Sequence, residues 1–289
     1  KIIVPSSPGG GTDTVTRLLA QHLSETLGHN FYIENRPGAG SMTGIEAGAR
    51  SAPDGYTLLV AASTMTSLHV IREKMRYDAV KDFAPITLLV SIPNVLVVHP
   101  SVPAESVRQL INYAKRNPGK LNFASNGNGS SSQLAAVIFD TMAGTEMTHV
   151  PYKGLSPALV DLLSGTVQLM FSSTVAIMPS VQAQRLRALG VTSPRRMPAL
   201  PDVPTIAEAG LAGYETGSWY GILAPAGTPA EIVGRLNAEV NRALQSSDVR
   251  AKLTLEGGEP VGGTPADFAE HIRAEIKRVT RYARSIRVE

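Results

Sequence analysis

The stretch Ile2-Ile3-Val4-Pro5-Ser6-Ser7-Pro8-Gly9-Gly10-Gly11-Thr12-Asp13 decides how this 289-residue chain begins to fold. Its three β-branched residues predict a buried strand, and a glycine-rich turn follows. The next apolar residues recur with the spacing of one helix face: Val15, Leu18, Leu19, Leu23 and Leu27. The turn therefore leads from a strand into a helix N-terminus, where free N–H groups and the positive end of the helix dipole can bind an anion.

Strand-like and helix-like patterns alternate through the rest of the chain. The predicted strands are Phe31–Glu34, Tyr56–Ala61, Ile86–Val90, Val95–His99, Leu121–Ser125, Val167–Phe171, Leu186–Thr192 and Trp219–Ala224. The predicted helices include Ser41–Arg50, one capped by Ser106, one that ends at Gly144, Pro229–Gln245 and Pro265–Ile286. This alternation predicts an α/β fold with parallel sheets and helices on both faces. No low-complexity linker separates two halves, which favours domains joined by more than one crossing.

Composition excludes several classes of protein. The 27 basic and 24 acidic residues leave a net charge of +3, and no basic run interleaves with aromatic residues, so nucleic-acid binding is not expected. The absence of cysteine excludes disulfides and thiolate metal sites, and the six histidines show no metal-ligand spacing. No run of about 18 apolar residues predicts a membrane span. Because the chain opens inside a strand, we expect a processed N-terminus, for example one left by signal-peptide removal.

Polar residues, all uncharged except Asp13, follow four of the predicted strands. Ser7, Gly11, Thr12 and Asp13 follow the first strand, with Thr12 placed near the helix N-cap and Asp13 in the first turn. The others are Ser63 and Thr64, the loop Ser125–Ser132 with Asn128, Gly129, Ser130 and Ser131, and Ser172 with Ser173. Ligands of α/β proteins bind at the carboxyl ends of strands, so these residues are the candidate binding set. A structural cap and a flexible surface loop stay open as alternatives for the first and third groups.

Known nucleotide and catalytic motifs fit poorly. The first loop lacks the lysine of a phosphate loop, and Asp13 would repel a triphosphate. Gly38–Gly44 has the spacing GxGxxxG, and Asp54 lies in a turn where a dinucleotide site needs a strand end, so close helix packing is the favoured interpretation. No GxSxG elbow and no paired acid–base residues occur. We therefore predict no enzyme activity, no catalytic residues, no metal and no cofactor.

Several ordered segments resemble one family, the Bug-type solute receptors of tripartite tricarboxylate transporters. The matching segments are Pro5–Asp13, Glu34–Gly40, Ala52–Leu59, Gly127–Ser130, His149–Gly154, Ala199–Thr205 and Leu223–Pro229. The resemblance implies a two-lobed (type II) periplasmic binding protein with a hinge of two crossing segments. It implies one lobe of residues 1–98 and 220–289, a second lobe of 99–219, and a ligand cleft between them.

The resemblance also implies a function and partners. A small carboxylate would be enclosed largely by backbone N–H groups, hydroxyls and water, with the loops at Thr12 and at Gly129–Ser130 as facing jaws. The protein would be a periplasmic monomer that delivers its ligand to integral membrane subunits.

Two departures bear on the ligand. Ser6 stands where the family often has an aromatic residue, and Ser172 stands where an Asp or Asn suited to a ligand amine is common. An organic acid without an amine is therefore the expected ligand. The remaining alternatives are an orphan receptor used for sensing, a nucleotide-dependent α/β enzyme and a serine hydrolase.

Overall fold

The computed structural model describes residues 1–71, 75–255 and 257–283, and they form two compact units. Unit 1 comprises Lys1–Ser91 and Trp219–Arg281, and unit 2 comprises mainly Ile92–Ser218. Unit 1 is thus built from two separate stretches of chain. The first boundary lies seven residues before the predicted position 98/99, because Asn94–Val98 forms a strand in the sheet of unit 2.

Eleven strands and ten helices lie in the described residues. The strands are β1 (Ile2–Val4), β2 (Ile33–Asn35), β3 (Leu58–Ala62), β4 (Phe83–Ile92), β5 (Asn94–Val98), β6 (Asn122–Ser125), β7 (Thr148–Pro151), β8 (Leu169–Ser173), β9 (Arg187–Val191), β10 (Ser218–Pro225) and β11 (Glu259–Gly262). The helices are α1 (Gly11–Leu27), α2 (Met42–Ala49), α3 (Thr64–Ile71), α4 (Val107–Arg116), α5 (Ser131–Ala143), α6 (Leu155–Leu163), α7 (Thr174–Gln182), α8 (Ala230–Gln245), α9 (Ser247–Leu255) and α10 (Pro265–Tyr282). The predicted end of the last helix, residues 284–286, lies outside the described residues.

Unit 1 contains a six-stranded sheet in the order β11-β4-β10-β3-β1-β2. β1 runs parallel to both β2 and β3, whereas β10 runs antiparallel to β3. Its core packs side chains from both stretches of chain, including Ile3, Leu59, Met65, Trp219 and Phe268. The two stretches therefore fold as one body.

Unit 2 contains a five-stranded sheet in the order β7-β6-β8-β5-β9. β6 runs parallel to β7 and β8, whereas β5 runs antiparallel to β8 and β9. Both sheets are therefore mixed, and the prediction of parallel sheets was wrong in this respect. Local periodicity reports that a strand exists but not the direction of its neighbours, which the long-range connections decide.

Several local predictions are confirmed by the packing. Ser106 caps α4 by accepting a hydrogen bond from the Gln109 N–H. In the Gly38–Gly44 segment, a Cβ at Gly44 would lie 2.6 Å from the Pro5 Cβ, so this glycine permits close helix packing as expected. Asp54 lies in a turn, where its side chain accepts from the Tyr56 N–H. In the described ranges, no helix combines the length and the apolar character that a membrane crossing needs.

Candidate ligand-binding site

In unit 1, the turn after β1 leads directly into the N-terminus of α1. Gly10 is the N-cap, with extended backbone angles (φ −77°, ψ 162°) and no side-chain cap, and the helix begins at Gly11. The prediction that Thr12 lies near the N-cap is confirmed, since Thr12 is the second residue of the helix, two positions after Gly10. Thr12 lies in the first turn, 9% exposed, where the N–H groups have no partner within the helix.

Asp13, predicted to belong to the binding set, is fully engaged in structural hydrogen bonds. Its Oδ2 accepts from the Gly9 N–H (2.9 Å) and from Arg17 Nε (2.8 Å), and its Oδ1 accepts from Arg17 Nη2 (3.1 Å) and Asn35 Nδ2 (2.9 Å). Burial alone would raise the pKa of this carboxyl, but these hydrogen bonds outweigh it and hold the pKa below its usual value. Asp13 therefore ties the turn, α1 and β2 together as an anion.

The carboxyl end of β3 lies beside that of β1, because the two strands pair in parallel. Ser63 and Thr64 follow β3, and Ser6 follows β1. Within the described structure the hydroxyls of Ser6 and Thr64 are buried and have no hydrogen-bond partner. Buried polar groups are nearly always satisfied, so two unsatisfied hydroxyls at adjacent strand ends indicate a place for a polar ligand or water. We call Ser6, Ser7, Gly11, Thr12, Ser63 and Thr64 the unit 1 cluster.

Sequence analysis did not find Tyr220, which contributes to the same cluster. Tyr220 lies at the start of β10 and pairs with Ala62 at the end of β3, because these strands are antiparallel. A Cβ at Gly11 would lie only 2.8 Å from the Tyr220 hydroxyl oxygen. The first glycine of α1 therefore makes room for a phenol group at the helix N-terminus.

In unit 2, the loop Ser125–Ser132 joins β6 to α5 and is held by its own hydrogen bonds. The Asn126 N–H donates to Ser132 Oγ (3.0 Å), and the Gly129 N–H donates to Gln133 Oε1 (2.7 Å). Ser130 is the N-cap of α5: it accepts from the Gln133 N–H, and its hydroxyl donates to the Gly127 carbonyl (2.6 Å). The loop is therefore an ordered helix cap, and the flexible surface loop considered as an alternative does not describe it.

The end of β8 lies beside the end of β6, because these strands also pair in parallel. Ser172 is 1% exposed, and among the described residues its hydroxyl has no hydrogen-bond partner. The Nδ2 group of Asn94 is also buried and has no hydrogen-bond partner among the described residues. Asn94 begins β5 and pairs with Ser173. Sequence analysis missed Asn94 because it lies at the start of its strand and not after its end, and only antiparallel pairing brings it to this edge.

We call this second group, at the ends of β6 and β8, the unit 2 cluster. It consists of Asn94, Asn128, Gly129, Ser130, Ser131, Ser172 and Ser173. All of these side chains are uncharged. Apart from Asp13, the predicted residues of each unit thus follow neighbouring strands, and the structure adds Ser6 and Tyr220 in unit 1 and Asn94 in unit 2.

A pocket of about 660 Å³ lies beside the unit 2 cluster, between α5 and the edge strand β7. It is lined by Phe123, Asn128, Gln133, Val137, Asp140, Thr141, Thr145, Met147, Thr148, His149 and Pro151. Burial raises the pKa of the Asp140 carboxyl, although it accepts hydrogen bonds from Thr145 Oγ1 (2.5 Å) and the Met147 N–H (3.2 Å). Among the described residues that line the pocket there is no lysine or arginine, so its charge does not favour an anion.

Comparison with known proteins gives the family of the chain. Residues 15–287 match the model of the tripartite tricarboxylate transporter family receptor. BugT of Bordetella pertussis is 37% identical over 281 residues, which cover 96% of this chain and 86% of that protein.

Two solved structures of related proteins are of complexes with a carboxylate. R. palustris Rpa4515 with adipate is 40% identical, with a TM-score of 0.83, and the match covers 99% of this chain and 96% of that one. MatC from Rhodopseudomonas palustris with bound malate is 35% identical, with a TM-score of 0.80 and coverage of 98% and 97%. The chain belongs to the receptor family of tripartite tricarboxylate transporters, as a Bug-type two-lobed binding protein.

Proposed function

We propose that this protein is a periplasmic receptor that binds a small organic acid without an amine and delivers it to a membrane transporter. The observation that carries this proposal is the set of four buried, unpartnered hydrogen-bonding groups at strand ends. Ser6 and Thr64 supply two in unit 1, and Asn94 and Ser172 supply two in unit 2. Family membership and the relatives described with adipate and malate support a carboxylate as the ligand.

Neutral donors suit a carboxylate at these positions. Each carboxylate oxygen accepts two or more hydrogen bonds, and hydroxyls, amides and the first N–H groups of α1 and α5 can supply them. Helix dipoles add favourable potential at both helix N-termini. In our proposal Thr12, Ser6 and Thr64 donate from unit 1, whereas Ser172, Asn94 and the N-terminus of α5 donate from unit 2. Ser130 acts through the helix cap, because its hydroxyl is already engaged there.

The charges of the clusters argue against an amine on the ligand. An ammonium group needs a carboxylate or several free acceptors. In the unit 1 cluster, the nearby Asp13 carboxylate is engaged by Arg17, Asn35 and Gly9. The residues of the unit 2 cluster include no acidic side chain, and Ser172 occupies the position where the resemblance to the family leads one to expect an Asp or Asn. A ligand amine would therefore meet neutral hydroxyl acceptors but no free carboxylate to compensate its positive charge.

A thermal-shift panel tests the proposed ligand class. The panel pairs acids that differ only by an amine: adipate with 2-aminoadipate, and succinate with aspartate. A ligand that binds the folded form raises the melting temperature, and about 100-fold excess over Kd adds about 2.7 kcal/mol. We expect stabilisation by an acid and less by its amino counterpart. Stabilisation by the amino acid alone would contradict the ligand class, and stabilisation by a nucleotide alone would contradict the receptor function.

The partners follow from family membership and stay part of the proposal. We propose that the protein acts as a monomer and docks on integral membrane subunits of a tripartite transporter. Reconstitution of those subunits in vesicles, with uptake of the bound acid measured with and without this protein, tests the delivery step. Uptake that is equal in both cases would favour the sensing alternative.

A further inference from the structure

His149 lies outside the predicted binding set, but it contacts Ser125 and Gln133, whose side chains hydrogen-bond to the backbone of the loop Ser125–Ser132. It belongs to the edge strand β7, and its ring stacks on Phe123 of β6 with centroids 4.9 Å apart and an interplanar angle of 22°. Its Nε2 lies 2.6 Å from Ser125 Oγ, and its Nδ1 lies 3.3 Å from Gln133 Nε2. The imidazole thus connects β6 with the first turn of α5.

The position of the Gln133 amide is fixed by the loop backbone. The Gly129 N–H lies 2.7 Å from the Gln133 side chain, and it can only donate, so the atom that faces it is the oxygen Oε1. The amide nitrogen then faces His149. Because that nitrogen carries only donors, Nδ1 of His149 must be an acceptor without a proton.

The remaining proton of neutral His149 must therefore be on Nε2, where it is donated to Ser125 Oγ. Ser125 Oγ also accepts from the Gly127 N–H (3.2 Å) and donates to the Gly127 carbonyl (3.3 Å). All five contacts have a consistent donor and acceptor in this one arrangement. A protonated His149 would instead place an Nδ1–H group against the donors of Gln133.

We propose that His149 is a positioning residue for the ligand loop, and that it acts only as the neutral imidazole with its proton on Nε2. Through Ser125 it holds Gly127, and through Gln133 it holds Gly129. Protonation turns the Gln133 amide, which then presents a donor to the Gly129 N–H and releases that side of the loop. The link to ligand affinity rests on the proposed function, whereas the positioning of the loop does not.

The surroundings of His149 agree with this assignment. The ring is half-buried, and burial lowers its pKa below the usual value. Among the residues that line its pocket from α5, β6 and β7, Asp140 on α5 is the other titratable side chain. A negative charge there would favour the protonated ring, yet the net shift of the His149 pKa is downward and is caused by burial. The 660 Å³ pocket gives protons access to the ring without unfolding of the strand.

The substitution Gln133→Glu tests the arrangement, because it replaces the amide donor by an acceptor of the same shape. The glutamate accepts from the Gly129 N–H and from a protonated Nδ1, so the pKa of His149 should rise by about 1–3 units. Nitrogen NMR of the ligand-free protein should show the proton of wild-type His149 on Nε2. His99, in the same unit, is the internal control. A proton on Nδ1, or an unchanged pKa in Gln133→Glu, would overturn the proposal.

A second measurement connects His149 with ligand affinity. His149→Phe keeps the stacking on Phe123 but removes both nitrogens, so acid binding should weaken at pH 7.5. The most stabilising acid of the panel is titrated at pH 7.5 and 5.5 into wild type, His149→Phe and the control His29→Gln, whose residue is exposed. Wild type and His29→Gln should lose more affinity on acidification than His149→Phe, up to tenfold per pH unit. Equal losses in all three would overturn this link, and failure of every acid would refute the proposed function while the NMR result stands.

Discussion

Replacing Asp13 by asparagine should destabilise unit 1 without removing a ligand contact. Asp13 is 1% exposed, and each of its two oxygens accepts two hydrogen bonds. An asparagine keeps the shape but replaces one oxygen by a donor. Whichever way the amide turns, its NH2 group faces two donors, so two of the four hydrogen bonds are lost.

The size of the effect follows from these contacts. A hydrogen bond to a charged group contributes about 1.5–3 kcal/mol, and the lower end applies because the partner Arg17 is 55% exposed. Two lost bonds therefore cost about 3 kcal/mol, which lowers the melting temperature by about 6–12 °C in a protein of this size. Since the pKa of Asp13 is depressed, its contribution is present above pH 3.8 and is lost as the pH falls further. The difference in the free energy of unfolding between wild type and Asp13→Asn should therefore become smaller below pH 3.8.

The assay compares Asp13→Asn with its neighbour Thr12→Val by urea unfolding and by acid binding. The described hydrogen bond at Thr12 uses its backbone carbonyl, which accepts from Thr16 Oγ1, so valine should change the stability by less than about 1 kcal/mol. Valine removes a ligand donor, however, and should weaken binding about tenfold. Loss of acid binding in Asp13→Asn with unchanged stability would refute the structural assignment of Asp13.

Three further substitutions test other parts of the structure. His271→Phe should make the free energy of unfolding less sensitive to acid. Burial, with a contribution from Arg278, lowers the pKa of His271 to about 4, so wild type should lose about 2 kcal/mol between pH 7 and 5 as the unfolded chain takes up a proton. Urea unfolding of both proteins at the two pH values measures the difference. Gly221→Ala should destabilise the protein by several kcal/mol, because the added Cβ would lie 2.0 Å from Phe268 Cζ. The control Gly234→Ala in α8 places its Cβ where nothing lies within 4 Å, so it should stabilise the protein. Equal melting temperatures of the two variants would contradict this expectation. Ser172→Asp should weaken binding of an acid and favour its amino counterpart in calorimetric titrations, since it adds a carboxylate to the unit 2 cluster, and an unchanged preference would place the ligand elsewhere.

Local sequence patterns predicted the elements that carry the site. Apolar runs predicted β1, β3, β6 and β8, and the polar residues after these strands include members of the candidate binding clusters. The parallel pairs β1–β3 and β6–β8 bring those residues together, as the rule for strand ends in α/β proteins predicts. This part was predictable because a strand, its turn and the following helix are neighbours in sequence.

The residues that sequence analysis missed depend on pairings between distant parts of the chain. Tyr220 reaches the end of β3 because β10 runs antiparallel to it, although the paired residues are more than 150 positions apart. His149 contacts Ser125 across two strands. The structural role of Asp13 likewise needs Asn35, which lies 22 residues further along the chain. Hydrophobic periodicity carries no information about such partners.

The most direct test of the central claim is calorimetric titration of the purified protein with adipate and with 2-aminoadipate. The neutral donors at the four strand ends predict that the unsubstituted acid binds more tightly, and that Thr12→Val weakens it about tenfold. Tighter binding of 2-aminoadipate would contradict the assignment of an acid without an amine. If neither these two nor any other carboxylate of the panel bound, the strand-end clusters would not be the site of a carboxylate receptor.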